Sequence, residues 1–173
     1  MAHETTKTSV HHHRPVSVTL PPQVVSPTDV GHLVREINQL DEDLLQLSLR
    51  DPGTDVKMPK TTRLMDVLTE HNKLNLLKKT DRALIKQYLQ LNLDQAPRLH
   101  FSFASDPPAS FLEKLIIWLR RELHPHLLVT VGLQPSIGAG CVVRTTNKYF
   151  DFSLGKNLQQ KRELLLSQFV PKE

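Results

Sequence analysis

A chain of 173 residues has room for one ordinary domain or two small ones, and its 39% hydrophobic content with six Gly and two Tyr points to helix-dominated packing, not a barrel or sandwich. A net charge of +4 and a pI near 9.3 permit nucleic-acid binding without arguing for it, because a nucleic-acid reader concentrates its charge on one face. The single Cys, Cys141, excludes an intramolecular disulfide and a Cys-based zinc cluster and fits a reducing compartment.

No apolar run reaches the roughly 18 residues that a membrane span needs. The N-terminus has no apolar h-region and residues 1–27 hold one Arg, so neither a secretory signal nor an Arg-rich transit peptide is expected. A soluble, cytoplasmic chain is the default expectation.

Residues 1–25 are rich in Thr, Ser, Val, Pro and His without a period, which predicts a disordered or extended arm. His11-His12-His13 in that arm reads as solvated chain before it reads as a metal site. Ser26-Pro27-Thr28-Asp29 is a helix start, with Ser as N-cap, Pro at the first helical position and Asp placed to accept from the cap amide. Behind it Val30, Leu33, Ile37, Leu40, Leu44 and Leu47 step by three and four, a narrow apolar seam that Asp51-Pro52-Gly53 ends. A second helix is predicted over Thr61–His71 and a third from about Thr80, with Leu84, Ile85, Tyr88 and Leu91 on one face and Ala96-Pro97 closing the helical half.

After Pro97 the period changes. Leu99, Phe101 and Phe103 alternate with polar residues as a half-buried strand, and Asp106-Pro107-Pro108 opens a helix carrying Phe111, Leu115, Trp118 and Leu119. Leu127–Val131 is the next strand. Cys141–Val143 and Tyr149–Phe152 then form a hairpin turning at Thr146-Asn147-Lys148, and a final amphipathic helix follows, with Leu158, Leu165 and Phe169 on its apolar side. The expected fold is α+β: a small helical bundle (26–96), then a β-α-β-β-α unit (97–173).

Sharper chemical readings fare poorly. Gly138-Ala139-Gly140 stands between two strands, whereas a phosphate loop needs its glycines between a strand and a helix N-terminus, so a structural turn is the better reading. Cys141 lies in an apolar strand pattern with no evident His and acidic partner, and His124-Pro125-His126 offers two ligands where zinc needs three or four. Helix-terminal capping is the blander account of those histidines. RNA binding would need ring-stacking residues on adjacent strands, yet Phe150 and Phe152 share one strand and one side, most simply the core. Asp29–Asp51 carries six acidic and two basic residues and Asp55–Lys86 eight basic and four acidic, a split that suits protein docking or helix pairing as well as two solvated faces.

The stretch from Gln134 to Leu158 resembles the C-terminal signature of the F-type ATP synthase delta subunit family, whose mitochondrial relative is the oligomycin-sensitivity-conferring protein. That signature reads roughly DPSLIGGxVVRxGDKxxDxSxxxxLxxL. Pro135, Ser136, Gly140, Val142, Val143, Arg144, Lys148, Asp151, Ser153 and Leu158 fall in register with it. Gln134 replaces the leading Asp, Gly138 an apolar residue, Ala139 the first Gly, and Thr146-Asn147 the Gly-Asp turn. Leu64–Leu77 is similar to the family's segment LLxENxRLxLL, in the family's order. The family's N-terminal bundle has about six helices and this chain has space for about three.

The resemblance implies a non-catalytic stator subunit without cofactor or metal, on the cytoplasmic face of the cell membrane without inserting into it. Its helical domain would grip the N-terminal helix of an α subunit on the α/β head, and its C-terminal domain the peripheral-stalk b subunits. Leu33, Ile37, Leu40, Leu44, Leu64, Leu68, Leu74 and Leu77 are the candidates for the head side, with core packing as the competing use of each. Leu158, Lys161, Arg162, Leu165 and Phe169 are the candidates for the b side, and Pro135, Gly140, Arg144, Asp151 and Ser153 for fixing the hairpin and helix junction. Nucleic acid is not an expected partner on this reading. A small RNA- or ribosome-associated α+β protein is the alternative.

Overall fold

The computed structural model describes residues 18–50 and 59–155. Three helices, α1 (Pro27–Arg50), α2 (Arg63–Asn72) and α3 (Lys79–Gln95), precede β1 (Arg98–Phe103), α4 (Ala109–Glu122), β2 (Leu128–Leu133), β3 (Gly140–Arg144) and β4 (Tyr149–Ser153). The order after α3 is therefore β-α-β-β-β among the described residues, not β-α-β-β-α. β2 and the two arms of the hairpin make three strands after α4, one more than the expected order counted. The predicted final helix lies outside the described residues.

The start of α1 follows from its sequence. The Asp29 amide donates to Ser26 Oγ at 3.1 Å, while Asp29 Oδ2 accepts from the Ser26 and Val25 amides at 2.8 and 3.1 Å. These contacts satisfy amides that a helix N-terminus otherwise leaves open. Thr62 caps α2 through Met65 N, and Lys73 ends it in the left-handed region at φ 55°. α3 starts at Lys79 with no side-chain cap.

α1 packs along α3. Their apolar stripes, together with that of α2, enclose Val30, Leu33, Ile37, Leu40, Met65, Leu68, Leu76, Ile85 and Leu89. The sheet order is β2-β1-β3-β4, parallel between β1 and β2 and antiparallel elsewhere. One face of α4, Ile116 and Leu119, packs on Phe101, Phe103, Val129 and Val143. Leu128 joins the helical cluster, so the two units share a boundary of packed side chains.

Two expectations need correction. Residues 1–17 of the predicted arm lie outside the described residues, but Val18, Leu20 and Val24 at its end are buried. The composition argument failed there because Leu20 and Val24 pack into the buried cluster of the helical unit. Phe150 and Phe152 do share a side, stacked at 6.3 Å, yet they are 43% and 59% exposed, not core. A single helix about 10 Å across covers roughly two strands spaced about 4.8 Å apart, and α4 stands over β1 and its neighbours, short of the edge strand β4.

Candidate functional site

Beyond Leu44 the apolar residues of α1 lose the cover that its first half receives: Leu45, Leu47 and Leu49 are 62%, 40% and 73% exposed. Between this half of α1 and the start of α3 lies an open groove of about 770 Å³, with Leu44, Leu45 and Ser48 on one wall and Leu77 and Ala83 on the other. Lys79, Arg82 and Lys86 line it against a single carboxylate, Asp41, so its rim is cationic.

Arg82 organises this end of the bundle. It is 8% exposed, pairs with Asp41 through Nε, and donates through Nη1 to the carbonyls of Leu76 and Leu77 at 2.8 and 3.1 Å. Asn75 shapes the same turn: its amide donates to Asp81 at 2.9 Å and its side chain accepts from Leu77 N at 2.9 Å. Leu76 thereby points into the core at 4% exposure while Leu77 stands outward at 48%.

The predicted head-side residues separate by burial. Leu33, Ile37, Leu40 and Leu68 are buried in the helical core, and Leu64 and Leu74 pack half-buried against it. Leu44, half-buried against the same core, and the exposed Leu77 line the groove. Leu45, Ala83 and the basic rim were missed. The signal for Leu45 was available: with Leu49 it forms an i, i+4 pair off the main seam, which widens the apolar face of α1 just where its own bundle ends.

At the other end of the chain, Pro135 opens a short 3₁₀ turn (Pro135–Ile137) and Gly138 closes it at φ 73°. Gly140, at φ 89°, runs so close to β4 that a Cβ would collide with the Phe152 carbonyl. The glycines of this stretch therefore serve backbone geometry. Arg144 lies over the Tyr149 ring at 5.3 Å, and Asp151 Oδ1 accepts from Ser153 N at 2.9 Å within β4. Leu158, Lys161, Arg162, Leu165 and Phe169 lie outside the described residues.

The His124 amide donates to Leu119 O at 3.4 Å at the C-terminus of α4, while the two imidazoles turn to other partners. The His124 Nδ1 accepts from His126 N at 3.2 Å, and His126 Nδ1 meets the Tyr88 hydroxyl at 3.0 Å where α3 faces the α4–β2 loop. Burial, then His124 and Arg120, hold His126 below its ordinary value, while burial pushes the Tyr88 phenol up. Burial also raises the Cys141 thiol, leaving less thiolate for chemistry. Among the described residues no group of three His, Cys, Asp or Glu is placed to hold a metal ion. No protein-family model matches this chain, and no curated protein does.

Proposed function

We propose that this chain is a non-catalytic stator component of an F-type ATP synthase, tethering the α/β head to the b subunits so that the head does not turn with the rotor. The observation that carries the reading is the groove between α1 and α3. Its leucine walls and cationic rim fit an amphipathic helix with acidic flanks, docked through i, i+3 and i+4 anchors. The resemblance of residues 134–158 and 64–77 to the delta family names the partner: the N-terminal helix of an α subunit. The b subunits engage the C-terminal unit, with Leu158, Lys161, Arg162, Leu165 and Phe169 as the proposed contacts, and no cofactor takes part. The chain works at the cytoplasmic face of the cell membrane as a peripheral part of the complex; among the described residues no helix is long and apolar enough to cross a membrane.

The test is fluorescence anisotropy of a labelled N-terminal α-subunit peptide from the same source, titrated with the full chain. Saturable binding that Leu45→Asp and Leu77→Asp weaken at least about tenfold supports the reading, since each buries a charge against apolar contacts. Binding indifferent to both substitutions removes the groove from the account.

One observation favours the alternative of an RNA-associated protein. Phe150 and Phe152 are stacked and exposed on an edge strand beside the exposed Lys148, a small platform of the kind bases stack on. Both rings sit on one strand, on the side that α4 partly covers, so the platform is narrower than the adjacent-strand arrangement sequence-specific RNA readers use.

A further inference from the structure

Residues 18–25 form no regular element, yet they touch both units of the fold. On the helical side Leu20 and Val24 join the buried cluster of α1, α2 and α3, and Thr19 N donates to Asn72 Oδ1 at 2.7 Å. The Asn72 amide returns to Thr19 O at 3.0 Å, and His71 Nε2 meets Thr19 Oγ1 at 3.1 Å. On the sheet side Val25 packs against the α4 cluster and its carbonyl accepts from Val129 N at 2.8 Å, on the outer edge of β2.

Arg120 holds the segment between them. Its Nη1 donates to the Leu20 and Pro21 carbonyls at 3.2 and 2.9 Å, and its Nη2 to Val24 O at 2.6 Å. The Nε of the same guanidinium donates to Leu127 O at 3.2 Å, tying α4 to the start of β2. Only a planar fork of five N–H donors can serve these carbonyls at once; an ammonium on a Lys stem cannot.

We infer that residues 18–25 are an intramolecular strap that fastens the helical unit to the sheet unit as one rigid body, with Arg120 as the positioning residue that holds it. The consequence is mechanical and does not rest on the stator reading: the units do not swing about Ala96-Pro97 while the strap is seated.

The test uses the full chain with Cys141→Ser and nitroxide labels at Gln46→Cys on α1 and Asn147→Cys at the hairpin turn, both exposed positions. Electron–electron dipolar spectroscopy on the otherwise native chain gives one narrow distance distribution. Arg120→Met and Arg120→Lys both broaden it while circular dichroism stays native, the Lys variant showing that fork geometry and not charge is needed. An unchanged width in a folded Arg120→Met chain overturns the inference. Should Arg120→Met fail to fold, amide exchange on the unaltered chain decides. The strap holds if Val24 and Val129 exchange as slowly as Ile85, and fails if they exchange more than about 100-fold faster, as a loosely laid arm would.

Discussion

Replacing Arg82 with Met removes a side chain that is 8% exposed and serves three acceptors at once. The Leu76 carbonyl is buried, and a buried acceptor left without its donor costs about 1–3 kcal/mol; the part-buried Leu77 carbonyl falls at the low end of that range. The Asp41 carboxylate is 36% exposed, so the ion pair itself contributes only about 0.5–1 kcal/mol. The sum is about 3 kcal/mol for Arg82→Met. Asp41→Asn, which keeps an oxygen for Nε and leaves both carbonyls served, costs less than about 1 kcal/mol. With a urea slope near 2 kcal/mol per molar, the Arg82→Met midpoint falls by about 1.5 M and the Asp41→Asn midpoint by less than about 0.5 M. Urea unfolding followed by circular dichroism reads both. Equal losses would refute the reasoning, because the ion pair and not the carbonyls would then hold the α2–α3 turn; so would an Arg82→Met shift below about 0.3 M.

Three further outcomes are expected. Ile37→Ala and Leu68→Ala, both at fully buried positions, cost about 3 kcal/mol each in the same unfolding assay, whereas Leu45→Ala and Leu77→Ala change stability by less than about 0.5 kcal/mol. Gly140→Ala lowers the thermal midpoint far more than Gly138→Ala, because both residues have positive φ but only Gly140 has a backbone carbonyl where the methyl would go. The native fold keeps His126 neutral by depressing its pKa, so its contribution is complete above the unfolded value of 6.5 and is lost as pH falls through the lower folded value. The groups facing it are His124, Arg120 and Tyr88. His126→Asn should therefore flatten the acid side of the stability profile; an unaltered slope would show that other groups set it.

Much of the fold was readable because its signals are local. Ser26 and Asp29 start α1 by hydrogen bonds within four residues, and Gly140 to Ser153 makes a hairpin whose two strands are joined by a short turn that Thr145 N closes on Lys148 O. What was missed depends on partners distant in sequence. Nothing in residues 18–25 announces Arg120, about a hundred residues away, whose guanidinium makes burial of that segment affordable. The parity of Phe150 and Phe152 was legible, but whether their side of the sheet is covered depends on the lateral reach of α4, which sequence spacing does not encode. A leucine seam likewise reads the same whether its own bundle or a foreign helix covers it. α3 covers Leu33 to Leu40 and leaves Leu44 and Leu45 at a groove, a division set by where α3 begins.

The most direct test of the stator proposal is native co-purification from the source membranes with the full chain as bait, partners read by mass spectrometry. The proposal predicts ATP synthase α, β and b subunits in fixed ratio, with Leu77→Asp losing α and β while retaining b. Recovery of ribosomal proteins or RNA without synthase subunits would contradict it and put the Phe150–Phe152 platform in the groove's place.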